Sequence, residues 1–510
     1  CLHQLLPLLR STISVKEVQQ NNNIIPDSWL KYILFYAISL LFIFINAYLV
    51  VKKDTLFAVA LPVLFAVLLT ALYSYDKLIW IAILFAPLSV PLKAITSGLP
   101  IDMHLPTEPL IFGTLLLFIL SIAQGKRIGT SLTRHPVSIV LYFYLGWMLL
   151  TSITSTLPMV SFKYLLSRTW FIVVFFFILA YLFEKEKNIE KFLWMFLIPL
   201  VPVMLFTIGR HLSYGLHDNQ AAHWVMYPFF KDHTSYGAVL AMCLPFLIGF
   251  SFSGWIKQKY KIWIWGLTGF YILAELLSYS RAAWLSLMAA GGVWVVMKLK
   301  IKFKTIAITF VSLLLIVFAF QDQILQRLER NSQDSSSNLT EHFTSMTNIS
   351  TDASNLERLN RWHCAIKMFN EKPFFGWGPG TYAMNYAPFQ KASMRTIIST
   401  NSGDGGNAHS EYLGSMAESG FIGTLSFIAI IIVVLATGIN AYSKTSDKRL
   451  KMLLISSILS LITYYTHGIL NNFLDMDKVS IPFWGFTAII VAIDLQIKRQ
   501  KNTRLEEQNG

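Results

Sequence analysis

The chain has 510 residues, of which 54% are hydrophobic and only 14% charged. So little charge cannot cover the surface of a soluble domain of this size, which excludes a water-soluble enzyme. The formal charge of +14 would suit a nucleic-acid partner, but the Lys and Arg residues stand in short clusters between apolar runs. That is the pattern of a polytopic membrane protein with its basic loops on the cytoplasmic side. Membrane lipids are therefore expected partners and nucleic acid is not.

In chain order, residues 1–30 read as a polar, disordered leader. Apolar runs follow at 32–51, 55–73, 78–95, 109–123, 137–156, 169–183, 192–208, 234–252, 262–279, 281–297, 305–320, 420–440, 452–469 and 479–497. Runs of ~20 such residues cross ~30 Å of hydrocarbon as helices, and the two short ones, 109–123 and 169–183, are expected to extend into their flanks. The fold class is an all-α polytopic transmembrane helical bundle of about 12–14 spans with one large, partly helical periplasmic loop. It divides into a leader (1–30), helices with short loops (31–320), the large loop (321–419) and C-terminal helices with a cytoplasmic tail (420–510).

Orientation follows from the basic residues. Lys126, Arg127 and Arg134; Lys185, Lys187 and Lys191; Lys257, Lys259 and Lys261; Lys298, Lys300, Lys302 and Lys304; Lys444, Lys448 and Arg449; and the tail from Lys498 all fall on one set of alternate loops. Those loops are assigned to the cytoplasm, which puts 96–108, 157–168 (with Lys163 and Arg168), 210–233 and 321–419 outside. Lys52 and Lys53 run against the scheme. Cys1, Cys243 and Cys364 are scattered and suggest neither a disulfide framework nor a metal cluster.

The densest concentration of polar, ionisable and glycine residues lies between Asn355 and Gly423. It opens with an amphipathic helix to Glu371, on which Leu359, Trp362, Ile366 and Phe369 share a face, and Pro373 ends that helix. Gly376, Gly378 and Gly380 allow a tight turn beside Trp377 and Tyr382. His409 then stands at the head of a helix that enters the bilayer through Gly420. An imidazole where a loop meets a membrane helix is wet enough to titrate and anchored enough to be aimed; the alternative is a histidine that merely caps or packs.

Arg358, Trp362, Pro373 and the GWGPG turn, then His-Ser-Glu-Tyr-Leu from His409 and the Glu418-Ser-Gly-x-x-Gly helix start, together resemble the O-antigen ligase / O-antigen polymerase superfamily. The SRAAWLSL stretch from Ser280 is a third matching piece, and the resemblance spans roughly residues 90–495. The family histidine is usually followed by Asn, where this chain has Ser410. The resemblance implies a membrane glycosyltransferase that moves a glycan from undecaprenyl diphosphate to an acceptor hydroxyl, on lipid A–core or a similar acceptor, at the periplasmic face of the inner membrane. Related activities are polymerisation of lipid-linked repeat units and protein O-glycosylation. A lipid-linked sugar transporter is the rival from another class, and it would want charged residues deep in several helices.

On that resemblance His409 is the candidate general base, with Glu411 either orienting it or serving as the base itself. Arg281, opening a membrane helix at its outer end, is the candidate diphosphate ligand, since a guanidinium forms forked bonds to phosphate oxygens; a snorkelling anchor is the bland reading. Arg210 is a second candidate in the outer loop. Arg358, His233, Lys231 and Tyr412 are candidate substrate contacts. The sequence has no Asp-x-Asp pair in an outer loop, no Gly-x-x-x-x-Gly-Lys-Ser/Thr loop and no zinc-ligand spacing. A lipid diphosphate carries its own activation, so no cofactor and no metal are expected, and the rate is expected to rise with pH through the ~6.5 of a free imidazole.

Overall fold

The computed structural model describes residues 37, 40–41, 75–94, 103–125, 129–300, 353–392 and 406–509. The leader, the runs at 55–73 and 305–320, and residues 321–352 lie outside the described residues, as does 32–51 apart from three positions. The chain forms two compact units: residues up to Ala82 with Pro109–Arg127, and Ile83–Glu108 with Ile128–Gly510. Most of the helices Tyr75–Phe85 (α1) and Thr107–Ala123 (α2) belong to the first.

The run at 78–95 does not span. At 11 residues α1 is too short, and the chain turns through Ala86–Leu88 into an antiparallel pair, Val90–Pro91 (β1) with His104–Leu105 (β2). Pro87 and Pro91 explain the break, because each removes an amide donor that a continuing helix needs.

The second unit contains Pro136–Ile153 (α3), Pro158–Leu182 (α4, with one π-helical turn at Val173–Ile178), Glu186–Leu212 (α5), His233–Ser251 (α6), Gln258–Leu276 (α7) and Arg281–Lys298 (α8). Ala353–Glu371 (α9), Glu411–Lys444 (α10), Lys448–Leu470 (α11) and Asp477–Asn509 (α12) follow. Among the described residues 7 helices, α3 to α6 and α10 to α12, are long and apolar enough to cross a membrane; α7 and α8 have spanning length but are more polar. The short run at 169–183 extends into its flank as expected, which moves Lys163 and Arg168 from an outer loop onto α4. Pro158, pre-set for a first helical turn, opens that helix.

Helix α11 is the hub, packed against α6, α8, α10 and α12. Glycines let it approach closely: a β-carbon on Gly249 of α6 would lie 2.7 Å from Ser456 Oγ, and one on Gly438 of α10 3.0 Å from Ile458. Small-residue contacts of this kind replace the hydrophobic driving force that lipid removes. At one end, Arg449 pairs with Glu190 at 2.8 Å and Glu186 at 3.6 Å, and Arg499 with Glu184 at 2.6 Å. Three basic clusters that the sequence placed on one side therefore meet.

Helix α9 is amphipathic, but its buried face is rotated from the expected one. Glu357, Asn360, Arg361, Cys364, Ala365 and Met368 are buried, whereas Ile366 is 45% exposed. The reason is local. Cys364 and Ala365 are small enough to let Ala408 and Ala417 pack closely, and the Arg361 guanidinium is matched by Glu357 at 2.6 Å and by the Tyr386 ring at 3.8 Å. A charge can face inward when paired and stacked in this way.

Candidate active site

The glycine turn is stitched to a kink in α10. Trp377 N donates to Ala417 O (3.0 Å), Gly378 N to Glu418 O (2.8 Å) and Phe421 N to Pro373 O (2.9 Å). The Glu418 carboxylate accepts from Tyr382 N at 3.0 Å. On the other side Thr156 N and Oγ1 both reach Trp377 O, at 3.0 and 2.8 Å, so the turn is pinned between α10 and the α3–α4 connection. Gly378 needs its missing side chain: φ is +115°, and a β-carbon would fall 1.9 Å from Ser155 Oγ.

His409 lies just before α10, which Ser410 caps. Its backbone is left-handed, φ 49°, a conformation that costs a histidine energy and persists only where neighbours impose it. The neighbours are visible: His409 N donates to Asn407 Oδ1 (3.0 Å), Asn407 Nδ2 to Asn472 O (2.8 Å) and Trp362 Nε1 to His409 O (3.2 Å). Among the described residues three non-glycine positions have positive φ; besides His409 and Lys300, the third is Tyr279, two residues before Arg281. One of the three is thus itself a candidate site residue and a second lies beside one. Burial and the charges of Arg358 and Arg361 push the His409 imidazole down to about 4, with Glu357 and Asp232 opposing. The ring is neutral at pH 7, with a lone pair to offer.

Arg358 ties the cluster together. It acts electrostatically on His409, on His233 and on His467, and His233 also feels Arg281 and His223. Three helices and the loop therefore bring His409, Arg358, His233 and Arg281 into one electrostatic neighbourhood. Asp232 caps α6 by accepting from Ser235 N (2.8 Å) and Thr234 Oγ1 (2.7 Å). Although burial works against it, those bonds hold its carboxyl below the ordinary value.

The other candidates lie elsewhere or are engaged. Arg210 Nη1 donates to Tyr227 O at 2.8 Å and its guanidinium sits 4.8 Å from the Trp224 ring, so it holds the 219–230 loop. Tyr412 donates to Tyr465 O at 2.9 Å. Glu411 is buried, and one oxygen accepts from Tyr464 OH (2.6 Å), Leu474 N (2.9 Å) and Phe473 N (3.0 Å). With so many donors on one oxygen it anchors the α11–α12 connection. Lys231 is exposed and acts on Asp475.

Sequence reasoning missed Arg168 and Asp475. Arg168, buried on α4, donates to Leu474 O at 2.8 Å and to Tyr164 OH at 2.5 Å. It lines a small cleft with Tyr144, Tyr164, Glu411, Glu418 and Asn472. Asp475 is exposed on the connection between α11 and α12, where the charges of Arg168, Lys231 and His104 act on it. The signal available in sequence was an arginine inside an apolar run and a carboxylate between two helices, each weak without the other. Among the described residues no group of three or more His, Cys, Asp or Glu is arranged to hold a metal.

Residues 266–428, from within α7 to within α10, match the family model described as O-antigen ligase. The matched segment includes Arg281, Arg358, His409 and Glu411. No curated protein matches the chain.

Proposed function

From the premise that the chain belongs to the O-antigen ligase superfamily, we propose that it is a membrane glycosyltransferase acting at the outer face of the inner membrane. It transfers a glycan from undecaprenyl diphosphate to an acceptor hydroxyl such as that of lipid A–core. The observation that carries this reading is the convergence of a neutral, clamped imidazole with Arg358, His233 and Arg281. A base beside a cationic cluster is what displacement of a diphosphate by a hydroxyl requires.

In the reaction the acceptor oxygen attacks the anomeric carbon, the bond from that carbon to the diphosphate oxygen breaks, and its electron pair leaves with the diphosphate. His409 takes the hydroxyl proton as the new bond forms, and a single displacement inverts the anomeric configuration. Negative charge grows on the leaving group, so contacts from Arg281 and Arg358 strengthen toward the transition state. Glu411 and Arg168 act one step back, holding the 471–476 connection against the site.

The purified protein in detergent, given lipid-linked glycan and a lipid A–core acceptor, is expected to join the two, with the product read by mass. Transfer onto a second lipid-linked unit instead identifies a polymerase, and no transfer by folded protein overturns the reading. Arg281→Lys keeps the charge and loses the fork, so a fall of roughly tenfold in kcat/KM for the donor is expected, the order of one good charge-assisted bond. Wild-type kinetics would remove Arg281 from the site.

The orientation is tested separately. A cysteine at Lys391, exposed in the large loop, is expected to react with a membrane-impermeant thiol reagent in intact cells with a permeabilised outer membrane. One at Ser443, near the opposite end of α10, is expected to react only after lysis. The reverse pattern would invert the assignment.

A further inference from the structure

Two helix starts meet in this site. Helices α6 and α8, capped by Asp232 and Ser280, lie side by side because Gly237 has no side chain: a β-carbon there would fall 2.8 Å from Ser280 Cβ and 3.1 Å from Ser278 Oγ. Their first residues are His233 and Arg281, so two positive dipole ends and a guanidinium share one place. The His233 ring lies 4.3 Å from that of His223, tilted by only 22°. His233 Nδ1 is buried, yet among the described residues it has no hydrogen-bond partner. At this helix end Asp232 turns one carboxylate oxygen, Oδ1, to Ser235 N and Thr234 Oγ1.

A buried ring nitrogen left without a partner costs free energy, and the groups around it indicate what would satisfy it. His223, Arg358 and Arg281 act on His233 against the single opposing charge of Asp232, so the acceptor that best satisfies the nitrogen is one that also carries negative charge. We propose that the stacked pair holds a phosphoryl oxygen of a diphosphate, with His233 Nδ1 as the donor and His223 as the positioning residue that fixes the ring plane. The assignment deepens, and rests on, the glycosyltransferase reading. It adds a contact beyond the arginines, one whose direction is set by a ring rather than by a flexible stem.

The test measures binding without turnover. The full-length protein in detergent is titrated with inorganic pyrophosphate and, separately, with undecaprenyl diphosphate in mixed micelles, as wild type, His233→Phe, His233→Asn and His223→Ala. Phe keeps the stack and loses the donor, so affinity for both ligands is expected to fall roughly ten- to a hundredfold, the range for a hydrogen bond to a charged group. Asn, which restores an N–H donor, is expected to recover most of it, a rescue that a merely structural role would not give. His223→Ala is expected to give a partial loss, and it carries the test should His233→Phe fail to fold. Binding of the lipid but not of pyrophosphate supports the site and identifies the headgroup as its source. Equal affinity in wild type and His233→Phe, or no binding of either ligand by wild type, overturns it. A protein that binds pyrophosphate through His233 but transfers no glycan keeps this site and loses the glycosyltransferase reading; transfer with affinity indifferent to His233 does the reverse.

Discussion

His409→Ala is expected to lower turnover by about 100-fold or more, the scale for losing a positioned base, while donor binding and melting temperature stay near wild type. The fold should survive because the neighbours hold the His409 backbone, through its N–H and carbonyl, and Ser410 rather than His409 caps α10. The pH profile carries the mechanistic weight. With the imidazole held near 4, the acid limb of kcat/KM is expected around 4 and not at the ~6.5 of a free imidazole. Once the diphosphate is bound its negative charge favours the imidazolium, so the limb of kcat is expected to lie above that of kcat/KM. A base near 4 would be feeble for a hydroxyl; substrate-linked strengthening is what makes it competent. Stability follows the same sign. The unfolded state binds the proton more readily between 4 and 6.5, so this residue's contribution is present above the unfolded value and is lost as pH falls through that window. An acid limb that persists in His409→Ala and vanishes in Glu411→Ala would transfer the base to the carboxylate.

The membrane character, most of the C-terminal two-thirds of the helices and the stretch that holds His409 were legible because each is written in local periodicity or in residue types that tolerate few settings. Runs of ~20 apolar residues leave few alternatives, and the glycines at 376, 378 and 380 all have positive φ. What was not legible depends on partners distant in sequence. The inward face of α9 includes Glu357 and Arg361 because Tyr386, 25 residues away, stacks on the guanidinium, and no helical wheel contains that fact. Arg168 looked like an outer-loop residue because its partner, Leu474 O, is 306 residues away. The break after α1 was the opposite kind of miss: Pro87 and Pro91 were in plain view, but the hydrophobic run outweighed them. His409 and Glu411, adjacent in the motif, separate in space, one toward Arg358 and the other toward Tyr464.

Gly420→Ala is expected to undo the site without touching substrate. Gly420 lies inside α10 with φ 68° and ψ −171°, a region that only glycine occupies readily, at a cost of about 1–3 kcal/mol for other residues. The space is closed as well. A β-carbon would sit 2.0 Å from Phe374 O and 2.7 Å from Pro373 O, and these are backbone atoms fixed by the Phe421 N to Pro373 O bond. Overpacking of that kind adds about 1–3 kcal/mol more, so a loss of roughly 3 kcal/mol in the docking of the turn on α10 is expected. That docking carries the Glu418 contacts with Gly378 and Tyr382, and through Tyr382 OH to Arg361 O at 2.7 Å it reaches the helix that presents Arg358. The measurements are melting temperature in detergent and the rate of proteolytic cutting within 373–389, with Gly291→Ala as control. A β-carbon at Gly291 meets nothing within 4 Å, and alanine is the better helix former, so that variant should melt at or above wild type. Gly420→Ala is expected to melt earlier, to be cut faster in the turn and to lose most transfer activity; a variant that melts and resists protease like wild type would mean that the kink in α10 does not depend on glycine.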